Sequence, residues 1–157
     1  MKYKNFIISI LFIFISCNVF SQKIYLGNSL YSSDIIFTIK GQYIYKGNST
    51  YSSDIIARFD GTYLYDKNSI YNGDILLSYH NNKIYFRKSN SQSDILANYH
   101  NNKMYEGNFN YESKLYFNVK DNKIYKFNSS YNSDILFRTT GYVHPLILYF
   151  ILINILY

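Results

Sequence analysis

From Lys23 the chain writes one 20-residue pattern six times without an insertion, and nothing else in it constrains the fold as tightly. The units run 23–42, 43–62, 63–82, 83–102, 103–122 and 123–142. The second and third read YIYKGNSTYSSDIIARFDGT and YLYDKNSIYNGDILLSYHNN. The third position is always Tyr: Tyr25, Tyr45, Tyr65, Tyr85, Tyr105 and Tyr125. The twelfth is Asp34, Asp54, Asp74, Asp94 and Asp134, followed by Ile; the fifth unit has Lys114-Leu115 instead.

Each unit holds two short runs rich in Ile, Tyr and Phe, such as Tyr43-Ile44-Tyr45 and the stretch from Ile55 to Phe59. Such residues fit a pleated surface. Between units stand turn signals: Lys40-Gly41, Asp60-Gly61, His80-Asn81, His100-Asn101 and Lys120-Asp121. No apolar stripe at helical spacing runs through a unit, which excludes a helical repeat, and the Leu-x-Leu framework of a leucine-rich repeat is missing. A two-residue hairpin puts Ile55 and Ala57 on one face with Ile44, and Ile56 on the other with Tyr45. Both faces are then partly apolar, and one hairpin alone is marginal in water. The expected fold is all-β: six hairpin repeats, in a stacked solenoid or a closed petal-like ring.

The two ends lie outside the repeat. Residues 1–21 read as a secretory signal, with Lys2 and Lys4 ahead of an apolar run and Val19 and Ser21 suited to peptidase cleavage before Gln22. Cys17 after Ser16 opens the alternative of a lipidated cysteine. Residues 143–157, VHPLILYFILINILY, carry no Asp, Glu, Lys or Arg. They suit a short helix, with Pro145 first and His144 before it, or a strand. Twelve residues as a helix reach about 18 Å, short of a bilayer core of about 30 Å. The tail is expected to cap the end of the repeat core, with a membrane contact as the alternative.

Composition narrows function. With 48% hydrophobic, 20% aromatic and 17% charged residues, the chain is not of the disordered class. One Cys excludes a disulfide framework. Without the signal and its two lysines the formal charge falls from +6 to +4, too little to argue for nucleic acid. The repeated Asp is expected to turn the chain by accepting local backbone N–H bonds rather than to bind calcium, which needs six to eight oxygens. The third-position tyrosines are expected in the packed interior. A second set, Tyr31, Tyr51, Tyr71, Tyr111 and Tyr131, lies in the polar connection, where the fourth unit has Ser91. Binding residues gather on loops, so these five are the candidate ligand-contacting aromatics. His80 and His100 recur in equivalent turns, but two ligands make a poor metal site, and no metal or cofactor is expected. No nucleophile has a base, and no phosphate loop or metalloprotease motif is present. The one departure from the repeat, Phe109, Glu112 and Lys114 in the fifth unit, forms no recognisable catalytic set.

The pattern Ile-Tyr-x-Gly-Asn-Ser-x-Tyr-Ser-Ser-Asp-Ile, at residues 24–35 and 44–55, resembles a group of short exported bacterial repeat proteins without an assigned activity. More loosely, Ile-Tyr, a polar turn, an apolar strand and Asp-Gly are similar to four-fold β-flower domains. Neither resemblance implies a catalytic residue. The expected protein is exported to the periplasm, cell surface or medium, and is a non-enzymatic structural or binding module. Its expected partner is a cell-surface glycan or protein; the alternative is an envelope protein held by its tail or by Cys17.

Overall fold

The computed structural model describes residues 21–156. Each unit forms two antiparallel strands: β1 (Gln22–Leu26) with β2 (Ile35–Lys40), β3 (Tyr43–Lys46) with β4 (Ile55–Phe59), and β5 (Tyr63–Asp66) with β6 (Ile75–His80). Then follow β7 (Lys83–Phe86) with β8 (Ile95–His100), β9 (Lys103–Glu106) with β10 (Leu115–Lys120), and β11 (Lys123–Lys126) with β12 (Ile135–Thr139). A helix, α1 (Pro145–Leu156), ends the chain. The strands close into one antiparallel barrel in chain order. At the seam β1 pairs with β12, Ile24 opposite Thr139 and Leu26 opposite Phe137. Of the two arrangements open from the sequence, the closed petal-like ring is the one formed. Closure leaves no unpaired sheet edge.

The tight turns fall one residue later than the sequence reading placed them. Lys40, His80, His100 and Lys120 are the last residues of their strands, and the turns are Gly41-Gln42, Asn81-Asn82, Asn101-Asn102 and Asp121-Asn122. In the last three pairs both residues have φ between 50° and 62°. The two-residue hairpin turn that matches strand twist needs positive φ at both positions, for which Asn, Asp and Gly are the preferred residues. His80 and His100 are therefore strand ends, and the His80 ring packs 6.0 Å from Tyr63 and 5.6 Å from Tyr85.

The expected sharing of strand faces also needs correction. Ile44 stands opposite Ala57, but Tyr45 stands opposite Ile55, so Ile56 is an extra residue in β4. The same shift recurs in every unit. This bulge puts Ile55 with Tyr45 rather than with Ile44, and turns Ile56 onto the central core.

A barrel of eight strands is filled by its own side chains; twelve leave a lumen. The ring supplies the aliphatic second positions, Ile24, Ile44, Leu64, Ile84, Met104 and Ile124, as its lining. Helix α1 supplies the filling. Leu146 to Leu152 are all buried, so every face of the helix is covered there, as befits a segment apolar all round. It starts as its sequence indicated. Pro145 is first, and His144 accepts the Leu146 N–H on Nδ1 at 3.2 Å and the Ile147 N–H on its carbonyl at 2.9 Å. The tail thus plugs the lumen rather than covering the last unit, because β1 already pairs with β12. Among the described residues no helix is long and apolar enough to cross a membrane. The expected signal, except Ser21, and Cys17 lie outside the described residues.

A second layer lies outside the strands. The six third-position tyrosines are buried but belong to this layer, not to the central core. Sixteenth-position side chains hold the following unit's loop over them: Thr38 Oγ1 donates to the Gly47 carbonyl at 2.8 Å, and Asn118 Nδ2 to those of Phe127 and Ser129 at 2.8 and 2.9 Å. The loops are folded back on the wall like petals.

Candidate functional site

The petals carry the candidate aromatics. In five units the loop is built on one hydrogen-bonded link. The seventh-position Ser donates its hydroxyl to the twelfth-position Asp: Ser29 to Asp34 at 2.5 Å, Ser69 to Asp74 at 2.6 Å, Ser89 to Asp94 at 2.6 Å, Ser129 to Asp134 at 2.5 Å, and Ser49 to Asp54. The same Ser oxygen accepts the ninth-position backbone N–H, as from Tyr31, Tyr51 and Tyr71 at 3.1 Å. The Asp therefore fixes the turn through Ser rather than by accepting backbone N–H bonds directly. A hydroxyl between carboxylate and amide satisfies both and leaves the next side chain little freedom of direction. That side chain points outward: Tyr31, Tyr51, Tyr71 and Tyr131 are between 72% and 77% exposed. Sequence reasoning missed the five serines, although their five-residue spacing to Asp was visible.

The fifth unit replaces both partners at once, with Phe109 for Ser and Lys114 for Asp. Lys114 donates to Glu106 at 2.8 Å and lies 5.6 Å from the centre of the Phe109 ring. The Glu106 carboxylate holds the Lys114 ammonium above its ordinary pKa. Without the Ser link, Tyr111 takes φ −110°, where its equivalents lie between −74° and −86°. Its ring leans on Phe109 at 5.1 Å, and it is less exposed than the others, at 49%. Glu112, on the same petal, accepts from Asn128 of the next unit at 2.8 Å. So the loop positions form two kinds of site: four free tyrosines, and one tilted Phe109–Tyr111 pair flanked by charges. Ser91 leaves the fourth petal without a ring.

The third-position tyrosines are covered by these petals and offer no platform. Tyr65 donates to Asp60 at 3.0 Å, and burial followed by that bond pushes its phenol up. Burial pushes the Asp60 carboxyl up as well, but the Tyr63 and Thr62 N–H groups, the Tyr65 hydroxyl and Arg58 together hold it below its usual value. Among the described residues no three His, Cys, Asp or Glu converge on a point that would hold a metal ion.

Six units, one closed ring and folded-back loops can now be set beside known proteins. No curated protein and no solved structure matches the chain. A model of the 6-fold beta flower protein family matches residues 9–92 and 44–145, which together take in most of the sequence. The likeness to β-flower domains is thereby kept in kind and corrected in number, from four units to six. The chain belongs to the 6-fold beta flower family.

Proposed function

We propose that the protein is an exported, non-enzymatic binding module whose petals hold a repetitive cell-surface glycan through their outward tyrosines. The observation that carries this is the exposure of Tyr31, Tyr51, Tyr71 and Tyr131 on loops that a Ser–Asp link fixes. Tyr combines a wide apolar face with a polar tip and loses little rotamer freedom on binding, which suits it to the apolar face of a sugar. Several weak sites round one ring add up when the ligand repeats, through effective concentration rather than through any one strong contact. A glycan fits this geometry better than a single small molecule does.

The test is co-sedimentation of the chain lacking residues 1–21 with insoluble peptidoglycan and chitin. Wild type is expected in the pellet, and the triple variant Tyr51→Ala, Tyr71→Ala, Tyr131→Ala is expected to bind at least ~10-fold less with an unchanged melting temperature. Equal binding by the variant, or none by wild type, overturns the glycan reading. Fractionation of cells tests the location: recovery from the cytoplasm overturns export, and recovery with membranes in a form resistant to salt favours anchoring through Cys17.

A further inference from the structure

The lumen is filled unevenly at the end that carries the tight turns. There the seventeenth repeat position lines the mouth, and its six residues are Ile39, Phe59, Tyr79, Tyr99, Val119 and Thr139. The helix enters on one side: the His144 ring lies 4.7 Å from both Phe59 and Tyr79. On the other side the position shrinks from Tyr to Val and Thr, and a cavity of about 350 Å³ remains. Its deep walls are the buried Leu148, Ile124 and Thr139; its rim is formed by Tyr99, Asn122 and Tyr142. Tyr142, in the link from β12 to α1, is 69% exposed at this mouth. The volume is within the range of small-molecule sites, and an apolar floor with a few polar groups above it is their usual make-up.

The rim chemistry narrows the ligand. The two charged side chains on it, Lys120 and Asp121, are adjacent and of opposite sign, so neither an anion nor a cation is favoured. The other polar groups are phenols, amides and a hydroxyl. Tyr99 donates its proton to Asn102 at 3.4 Å, and Thr139 shares its proton between the Gly141 carbonyl at 2.8 Å and the Asn122 carbonyl at 3.3 Å, so each oxygen keeps lone-pair capacity to accept. Burial, and then the neighbouring Tyr142 and Tyr79, push the Tyr99 phenol up to about 12, so it stays a neutral hydroxyl at physiological pH. A neutral ring with one apolar face and several hydroxyl donors meets all of these groups. We infer that the cavity between α1 and the fourth to sixth units is a binding site for a single neutral pyranose, as a free sugar or as the end residue of a glycan.

This site lies inside the ring, whereas the petals lie on the outside of its wall, and it does not depend on the loop tyrosines. The test is saturation-transfer difference NMR of the chain lacking residues 1–21, with a panel of free hexoses and N-acetylhexosamines and of oligosaccharides ending in the same sugars. At least one is expected to bind with Kd near or below about 1 mM. Val119→Tyr, which gives the fifth unit the residue that the third and fourth carry there, is expected to weaken it at least ~10-fold by filling the cavity. Tyr142→Ala, at an exposed position that folding does not depend on, is expected to weaken it as well, and it decides the matter if Val119→Tyr does not fold. Tyr51→Ala with Tyr71→Ala is expected to leave this binding unchanged while lowering pelleting with polysaccharide. Binding of oligosaccharides alone identifies a glycan end as the ligand, and equal binding of free sugar identifies the monosaccharide. Absence of binding across the panel, or binding undiminished in folded Val119→Tyr or in Tyr142→Ala, overturns the inference.

Discussion

The outside and the inside of this ring treat the same repeat differently. On the outside, five of six petals keep Ser at the seventh position and Asp at the twelfth, and the one that departs changes both together. On the inside, the fifteenth position runs Phe37, Ala57, Leu77, Ala97, Phe117, Phe137, with no two successive units alike until the last pair. A petal touches only its own unit and the two beside it, so one local solution serves at every place in the ring. The inner wall faces a single helix, which has 3.6 residues per turn and no six-fold symmetry. Each unit there meets a different side of α1, and residue volume has to follow the helix rather than the repeat. Repetition is retained where contacts are local and lost where a single unrepeated element is shared.

The comparison is broken most severely by removing the shared element. Ile151 is fully buried on α1. Ile151→Asp is expected to cost at least about 4 kcal/mol, through a lost buried aliphatic side chain and a buried, unpaired charge. Deletion of residues 143–157 is expected to give a chain that melts far earlier or aggregates, since it leaves the lumen empty. Scanning calorimetry checks both, and a deletion that melts like wild type would show that the ring holds without its plug.

Next comes a change that makes the inner wall regular. Ala97 is fully buried at the fifteenth position, where Phe37 and Phe117 stand in other units. Ala97→Phe is expected to cost about 1–3 kcal/mol in chemical denaturation by overpacking against α1. A neutral result would mean that the wall does not conform to the helix.

On the outside, a single regular petal is expected to matter less. Asp74→Lys deprives Ser69 of its acceptor and is expected to cost about 1 kcal/mol, with no effect on the other petals. Unchanged denaturation would remove the Ser–Asp link from the account of the loops.

A smaller effect is expected from pH at the helix start. Burial depresses the His144 pKa below 6.5, and the neutral ring accepts the Leu146 N–H on Nδ1. The folded state therefore binds this proton less readily than the unfolded chain. The contribution is complete above the unfolded value of about 6.5 and is lost as pH falls through the lower folded value. His144→Asn keeps an acceptor that does not titrate, so melting curves of this variant are expected to lose part of the wild-type decline on acidification.

The smallest effects are expected in the fifth petal. Lys114→Asp alone is expected to lower the melting temperature, because it places a carboxylate beside Glu106 and finds Phe109 where a regular petal has Ser. Adding Phe109→Ser is expected to restore it, since the pair then rebuilds the Ser–Asp link. Additive single effects would show that the two departures are unrelated.

Much of this was legible in the residues. The period of 20, the alternation of apolar runs and polar connections, and the absence of charge in the tail identify six hairpins and an apolar terminal segment, because strand patterning and turn chemistry are local. Pro145 after His144 marks the helix start for the same reason. The five loop tyrosines were legible as a set from spacing alone, but not that Tyr111 would lean on Phe109, which follows from losing the Ser29-type link in that one unit. The register was less legible: a bulge at Ile56 reverses which neighbour Ile55 shares a face with, and no residue in Ile-Ile-Ala announces it. Closure of the ring was legible only as one of two arrangements, beside an open stack. Whether β1 meets β12 depends on how much twist and tilt twelve strands accumulate, a sum over the whole sheet that no unit records. The lumen, its plug and the uneven cavity at its mouth follow from that closure, so the sequence determined the parts and their order, while the tertiary structure alone decided what stands at the centre.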